Sequence, residues 1–301
     1  MNSRVSDLLD QLLSISKPLE PFDMPLLDAH GATLAEDILA GGQVVLRAGS
    51  RIRSTQIGLA ASIGLDRLPS RPHPRVVVIS AGDDLVEPGQ SLGDSEDEFE
   101  TNSWMLTTAV RESGATGYRV HTIAENHLQL RQIIEDQLVR ADLIVISGES
   151  RDESFGLITG VLSELGDITS VEPNLAESGQ HNYGLIGPDL TPVVTLPGDP
   201  IGAFLSMEIF IRPMIRTMLG ASNVFRSIMT LKLTNSISSP EGRTSFIRAS
   251  IESDGTVTAL VNQGDLVSLS DATGLIVIPE KVTSHQAGDM VNVMILERSN
   301  N

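Results

Sequence analysis

The sequence predicts an α/β protein in which a doubly wound central domain follows a small N-terminal α/β domain and precedes a C-terminal all-β domain. Strands rich in Val and Ile alternate with helical patterns between residues 76 and 165, which is typical of a mostly parallel sheet with helices on both faces. After Gly220 short apolar runs alternate with turn residues, as in a small barrel or sandwich. With 301 residues, the chain is long enough for three such domains.

The N-terminal domain is assigned to residues 1–70. Apolar residues recur at three- and four-residue spacing from Val5 to Leu13, which predicts an amphipathic helix that ends before Pro18. A short extended piece over 34–38 leads into Gly41-Gly42, interpreted as a flexible joint. A helix is predicted over 55–63, and prolines between 69 and 74 mark the domain boundary.

The central domain is assigned to residues 71–221 and the all-β domain to 222–301. Strands are predicted over 76–79, 118–121, 143–146 and 193–196, and helices over 102–112, 128–138, 157–165 and from Ile201 onward. Ligands of such sheets bind beyond the carboxyl ends of the strands. Three of those ends carry Ser, Gly and acidic residues, at 80–83, 147–149 and 197–199.

Charge and composition exclude several classes of function. A formal net charge of −18 and the lack of a dense Lys/Arg cluster argue against nucleic acid or an anionic membrane as partner. No apolar run is long enough for a membrane span, so we expect a cytoplasmic protein without membrane insertion. The chain has no cysteine and only six scattered histidines, so we expect no metal cluster.

The segment VVTLPGDPIGAF has the form of an anion cradle. An apolar strand runs through Pro197-Gly198-Asp199-Pro200 into a helix that starts with small residues. Unpaired N–H groups at a helix N-terminus point at whatever lies there, and the helix dipole favours negative charge. The segment therefore predicts either a phosphate site or a turn that preserves only the geometry of one.

Four motifs, in this order along the chain, resemble the MoeA and gephyrin E-domain family of molybdopterin molybdenumtransferases. They are the segments GDDLVEPG at 82–89, TNSWML at 101–106, ADLIVISG at 141–148 and LPGDP at 196–200. The resemblance extends to the N-terminal segment and the β-rich tail, and so covers nearly the whole chain. It implies a central domain like MoaB or MogA, an N-terminal dimerisation domain and a C-terminal β-barrel.

The departures from the family pattern suggest that this is a degenerate member. A domain that the family carries between its N-terminal motif and the central domain is missing here, at residues 41–43. Gly156 stands where the family has a functional Asp, and Thr159 stands where it has Lys. The stretch 179–183 lacks the two lysines of the family's KPGKP segment, and Glu149 adds a negative charge at a strand end. Cations suited to phosphates are therefore lost, and we expect no catalytic activity.

The resemblance still offers residues for an enzymatic alternative, a molybdopterin molybdenumtransferase that inserts molybdate into adenylated molybdopterin. Asp83 and Asp199 remain as candidates for catalysis or for holding Mg²⁺. The candidate cofactor-binding residues are Gly82, Asp83, Ser147, Gly148, Pro197 and Gly198. In the inactive alternative neither Mg²⁺ nor molybdopterin is expected, and a subunit that binds the pterin without turnover is a third alternative.

The family also binds short peptides in a groove between its N-terminal helix region and its β-rich domain. Matched positions in this chain are Leu9, Phe246, Val277 and Pro279, all apolar. A Leu on an amphipathic helix such as Leu9, or a Phe in a strand such as Phe246, is more often an ordinary core residue. The combination resembles gephyrin-like divisome proteins of corynebacteria, which implies a homodimer that binds the C-terminal tail of the tubulin-like protein FtsZ. It also implies contact with a membrane receptor and recruitment to the division septum.

Overall fold

The computed structural model describes residues 2–82, 85–93, 98–122, 127–148, 152–261 and 264–296. The first part of the chain forms mostly short elements. They are β1 (Asn2–Ser3), α1 (Val5–Ser14), β2 (Phe22–Pro25), β3 (Thr33–Leu34), β4 (Ile38–Ala40), β5 (Gln43–Leu46), α2 (Ser54–Ser62) and β6 (Arg67–Arg71). Strand β6 pairs with both β2 and β3, and these elements enclose a small core of their own. None of the helices in the described ranges could span a bilayer.

The central part of the chain alternates strands and helices. Its elements are β7 (Arg75–Ala81), β8 (Leu85–Val86), β9 (Glu98–Phe99), α3 (Asn102–Glu112), β10 (Thr116–Thr122), α4 (His127–Leu138), β11 (Leu143–Gly148), α5 (Asp152–Leu165), β12 (Gly166–Pro173), β13 (His181–Ile186), β14 (Thr191–Leu196), α6 (Pro200–Ser206) and α7 (Arg212–Met218). A π-helical turn, Met207–Ile211, joins α6 to α7, so the helix predicted from Ile201 is continuous but locally widened.

The sheet of the central domain has seven strands in the order β1-β12-β13-β14-β11-β7-β10. Strands β14, β11, β7 and β10 are parallel to one another, as predicted, and β11 and β14 are almost entirely buried. Burial on both faces explains why these strands read as continuous Val/Ile runs. The fold class, α/β with a doubly wound sheet, is confirmed.

Strands β12 and β13 are absent from the sequence prediction. They pair antiparallel with each other, and β13 pairs antiparallel with β14. The exposed residues of β12 are polar, so the run from Gly166 lacks the apolar character that marks its neighbours. The first residues of the chain also join this sheet, because β1 pairs with β12.

Gly41 and Gly42 form a tight turn, which differs from the flexible joint that the sequence predicts. Both glycines have positive φ, 58° and 80°, and Ala40 pairs with Gln43 across the hairpin of β4 and β5. Two residues with positive φ are what a two-residue hairpin requires, because this backbone twist matches that of the flanking strands.

The C-terminal domain is a closed barrel of five strands, which decides between the barrel and sandwich alternatives. Its elements are β15 (Ile228–Leu233), β16 (Ile237–Ser238), β17 (Ser245–Ile251), β18 (Thr256–Ala259), α8 (Leu266–Asp271), β19 (Gly274–Ile278), β20 (Ser284–His285) and β21 (Met290–Ile295). The barrel strands are in the order β15-β18-β17-β19-β21 around a separate core, and the short helix α8 was not predicted.

Candidate functional site

The carboxyl ends of β7, β11 and β14 meet at one edge of the central sheet. Ser147 near the end of β11 is in register with Ser80 of β7 on one side and with Leu196 of β14 on the other. Gly82 follows β7, Gly148 ends β11, and Pro197 follows β14. These candidate cofactor-binding residues therefore lie at the same end of neighbouring strands.

Asn102, the first residue of α3, connects these strand ends. Its amide Nδ2 donates to Ser147 Oγ at 2.9 Å and to the Gly198 carbonyl oxygen at 2.6 Å. Ser147 Oγ in turn donates to the Pro197 carbonyl at 3.2 Å. Asn102 is 8% exposed, and its Oδ1 is buried with no hydrogen-bond partner. The edge of the sheet thus contains a buried acceptor that the described protein groups leave unsatisfied.

Gly148 lies close to α5. A Cβ at this position would lie 2.5 Å from Ile158 Cδ1 on α5. The glycine therefore allows α5 to pack against the end of β11, which is a structural reason for its presence whatever the site binds.

The N-terminus of α6 is already occupied by a carboxylate of the same chain. Asp199 is the N-cap residue, and its Oδ2 accepts a hydrogen bond from Gly202 N at 2.7 Å. A Cβ on Gly202 would lie 2.8 Å from the Glu177 carbonyl oxygen and 3.3 Å from Asp199 Oδ2. The lack of a side chain at Gly202 thus leaves room for the Glu177 carbonyl, and the Asp199 carboxylate takes the hydrogen bond that a bound anion would accept from Gly202 N.

A buried arginine and a partly buried glutamate lie near this turn. Glu177, in the loop between β12 and β13, has a buried Oε2 that accepts no hydrogen bond from the described residues. Burial raises the pKa of Glu177, nearby Arg248 lowers it, and Asp199 raises it again. Arg248 on barrel strand β17 is fully buried and donates from Nε to Ser268 Oγ at 3.2 Å. The barrel domain therefore supplies Arg248, whereas Glu177 and the Asp199 cap come from the central domain.

Three carboxylates lie near Arg248. Burial lowers the pKa of Arg248, and the carboxylates of Glu177, Asp199 and Asp265 act against that shift. Of these carboxylates, Asp199 and Asp265 are exposed, so solvent screens their charge, and only Glu177 is partly buried beside the guanidinium.

Gly156 and Thr159, the two positions at which the resemblance implies charged residues in the family, both lie on α5. Gly156 is exposed, and within the described part of the chain no atom lies within 4 Å of the position that its Cβ would take. Thr159 Oγ1 donates to the Phe155 carbonyl at 2.7 Å and accepts from Asn182 Nδ2 at 2.8 Å. One position is thus open, and the other takes part in a hydrogen bond that joins α5 to β13.

The stretch at 179–183 supplies no positive charge. Gln180 is neutral, and His181 is fully buried, with Nε2 3.0 Å from Ser206 Oγ of α6 and Nδ1 3.1 Å from the Gly179 carbonyl. Burial lowers the pKa of His181 to about 4. The imidazole is therefore neutral near pH 7 and serves to join β13 to α6.

Asp83 and Glu149 lie outside the described residues. Among the residues that are described, no three His, Cys, Asp or Glu side chains are grouped so that they could hold a metal ion.

The four candidate peptide-binding residues lie on α1 and on the barrel. Phe246 is 5% exposed and lies directly opposite Val277 in the pairing of β17 with β19. Leu9 and Val277 are half-buried, and both pack against the apolar cluster that contains Phe246. Pro279, just after β19, is exposed. We call these four residues, Leu9, Phe246, Val277 and Pro279, the trough.

Sequence reasoning did not identify Glu177, Arg248 or the role of Asn102. Asn102 lies inside a recognised motif, so its position could have been used. Glu177 and Arg248 are isolated charged residues in unremarkable segments, and only the packing of the barrel on the central domain brings them together.

Two family models match the chain. Residues 77–217 match a model described as a probable molybdopterin binding domain, and residues 230–296 match the MoeA C-terminal region, domain IV. Molybdopterin molybdenumtransferase 1 of Mycobacterium tuberculosis is 30% identical over 87% of the chain, and molybdopterin molybdenumtransferase 2 is 34% identical over 88%. The chain covers 64% and 66% of these relatives, a little under two thirds of their length.

The fold has a close counterpart among solved structures. A crystal structure of a MoeA molybdopterin biosynthesis protein from Pyrococcus horikoshii superposes with a TM-score of 0.84 at 18% identity, covering 99% of this chain and 100% of the other. Together the matched domains, the curated relatives and this shared architecture identify the chain as a member of the MoeA/gephyrin family of molybdopterin biosynthesis proteins.

Proposed function

We propose that this chain is a catalytically inactive member of its family that serves as a scaffold in bacterial cell division. In this proposal it binds the C-terminal tail peptide of FtsZ in the trough. A homodimer would engage several tails of one filament and gain avidity without new contacts. Recruitment to the division septum and contact with a membrane receptor belong to the same proposal.

The observation that carries the loss of catalysis is the carboxylate cap on α6. Gly202 N, which would face a phosphate at this helix, already donates to Asp199 Oδ2 at 2.7 Å. Glu177 adds a second carboxylate at the turn, and Thr159, Gln180 and neutral His181 offer no cation. These groups do not suit a pterin phosphate or an adenylate, whose negative charge needs cations or free N–H donors.

Peptide binding is supported by the apolar character of the trough. Leu9 and Val277 retain partial exposure while they rest on a shared apolar cluster, and exposed Pro279 extends that surface. Because Phe246 is 5% exposed, it would act as the floor and leave most of the contact area to the other three. Apolar surfaces of this kind accept the apolar anchor side chains of a bound peptide.

The test is the affinity of a fluorescently labelled FtsZ C-terminal tail peptide, measured by anisotropy. Leu9→Gln and Val277→Thr retain approximate side-chain volume, and we expect each to weaken binding about tenfold or more, the loss of one anchor. Val139→Gln, at a residue 87% exposed after α4, is the control and should bind normally. Absence of binding by the unmodified chain, or equal affinities of all variants, would refute the trough.

The enzymatic alternative is favoured by the match of residues 77–217 to a probable molybdopterin binding domain and by the names of the relatives. Ser147 and the Pro197-Gly198 turn remain bound together at the strand ends in a way that could line a ligand. Of the two expected Mg²⁺ ligands, Asp199 has one oxygen engaged with Gly202 N. Incubation with adenylated molybdopterin, molybdate and Mg²⁺ distinguishes the alternatives, because release of the adenylate would establish the enzyme.

A further inference from the structure

Arginine side chains lie around residues 220–223, the turn that follows α7, which we call the arginine turn. Arg216, in the last turn of α7, donates from Nε to a backbone carbonyl of the arginine turn at 3.1 Å. Arg71 packs against the same turn, since a Cβ on Gly220 would lie 2.6 Å from its Nε. Arg51 lies close enough to Arg216 for the two charges to interact. Three cations from separate parts of the chain thus border one turn of a protein whose formal net charge is −18.

Backbone contacts fix the arginine turn against the N-terminal domain. Ser222 N donates to the Gly49 carbonyl oxygen at 3.0 Å, and a Cβ on Gly49 would lie 3.1 Å from the same nitrogen. Gly49 has a φ of 76°, so this close approach depends on a glycine. Arg51 follows Gly49 by two residues and is exposed. The contact therefore brings the segment that carries Arg51 to the turn beside Arg216.

Arg216 differs from the arginines near it because it lacks a carboxylate partner. Arg226 donates to Glu208 from two nitrogens, at 2.7 and 2.8 Å, and Arg212 Nε lies 4.0 Å from the same carboxylate. Burial and then Arg51 lower the pKa of Arg216, and within the described part of the chain no carboxylate raises it. Arg212 lies one helical turn before Arg216, a spacing at which like charges destabilise a helix. A half-buried arginine with cationic neighbours is costly unless an anion compensates its charge.

Hydrogen-bond donors remain available at the arginine turn. Among the described residues, neither the Nη groups of Arg216 nor the guanidinium of Arg51 takes part in a hydrogen bond. Arg71, in contrast, donates to a backbone carbonyl of the N-terminal segment, so it contributes mainly its charge. Ser222 and Asn223 are exposed and carry a hydroxyl and an amide. The turn therefore offers positive charge together with several donors.

The arginine turn lies at the opposite end of the central sheet from the candidate cofactor-binding residues. Gly114, whose Cβ position is 3.8 Å from Arg216 Nη1, comes just before β10. Strand β10 is parallel to β7, and β7 is parallel to β11, so Gly114 marks the amino end of these strands. Ser147 and Gly148 lie at their carboxyl end. A ligand at the arginine turn would thus be separate from the strand-end site, and the inference does not rest on the proposed function.

We propose that Arg51 and Arg216, with the side chains of Ser222 and Asn223, bind a phosphate group at the surface between the N-terminal and central domains. Guanidinium groups offer paired N–H donors whose geometry matches the oxygens of a phosphate, and charge-assisted hydrogen bonds of this kind are among the strongest in proteins. Because the donors come from two domains, a bound phosphate would also hold these domains together.

The experiment compares thermal unfolding of the full chain in sodium phosphate and in sodium chloride of equal ionic strength at pH 7. We expect a saturable rise of the melting temperature in phosphate only, because a ligand that binds the folded chain stabilises it. Arg51→Gln, at an exposed residue, should weaken the phosphate affinity about tenfold, the usual effect of losing one charge-assisted hydrogen bond. Arg216→Gln should weaken it at least as much. Arg140→Gln, at an exposed arginine that follows α4, is the matched control and should respond as the unmodified chain does.

A second arm distinguishes the source of the phosphate group. Isothermal titration calorimetry compares the capped peptide Ala-phosphoserine-Ala with Ala-Ser-Ala. Binding of the phosphopeptide supports a phosphorylated protein as ligand, and a response to inorganic phosphate alone supports a free phosphate ion. The proposal is overturned if neither probe binds, or if Arg51→Gln and Arg216→Gln respond to phosphate as the unmodified chain does. Arg51 is exposed, so its variant keeps the proposal testable even if Arg216→Gln misfolds.

Discussion

Two neighbouring strand-to-helix junctions of the central sheet differ in how tightly they are packed. At the junction of β14 and α6, Asp199, Gly202 and Glu177 are in close contact, and the turn is filled by protein atoms. At the start of α5, which follows β11, Gly156 is exposed with open space around its Cβ position. Packing thus restricts which residues the first segment can carry, whereas the second has room for other side chains.

The largest expected difference between the junctions is the loss of unfolding free energy at acid pH, which arises at His181 beside α6. The pKa of His181 is lowered from 6.5 to about 4 in the folded chain, so between these values only the unfolded chain binds the proton. Stability from this residue is complete above pH 6.5 and is lost as the pH falls toward 4, by about 3 kcal/mol in all. Urea unfolding at several pH values measures it.

The matched variant for this prediction is His181→Gln, which cannot titrate. Its stability at pH 7 is expected to fall, because the contacts with Ser206 and Gly179 are changed. Between pH 6.5 and 4, however, its unfolding free energy should decline less steeply than that of the unmodified chain. Parallel curves for the two proteins would contradict the role given to the buried imidazole.

Gly202→Ala tests the filled junction directly. The added methyl group would lie 2.8 Å from the Glu177 carbonyl oxygen, a backbone atom that cannot rotate away. We expect a loss of about 1–3 kcal/mol in unfolding free energy, the usual cost of overpacking. Thermal and urea unfolding provide the measurement, and an unchanged stability would mean that the turn is looser than the contacts indicate.

Gly156→Ala tests the open junction and should have the smallest effect, with the opposite sign. The residue is exposed within α5 and has no neighbour to obstruct a methyl group. Alanine costs less backbone entropy in a helix, so stability should rise by about 0.5–1 kcal/mol. A destabilised variant would show that Gly156 is required by the structure, and the contrast between the two junctions would then be wrong.

The sequence predicts the parallel strands and the start of α6 correctly because their causes are local. Continuous Val and Ile runs signal strands buried on both faces, and Pro200 after Asp199 signals a helix start. Strand β12 was not predicted because its exposed polar residues resemble a loop. The turn at Gly41-Gly42 was predicted as a flexible joint because hairpin turns and flexible linkers use the same residues. Glu177 and Arg248 meet only through domain packing, which no local pattern encodes.

The hairpin closed by Gly41 and Gly42 is suited to the insertion of a further domain. Its two strands run side by side to the turn, with Ala40 opposite Gln43. Among the described residues, no atom lies within 4 Å of the Cβ position of either glycine. A folded unit whose own termini are adjacent could be spliced between those strands while the framework keeps its geometry, since the connection adds little loop-closure entropy. The turn is thus a position at which a whole domain could be inserted or removed without disturbing the rest of the fold. For the same reason a reporter domain could be attached there.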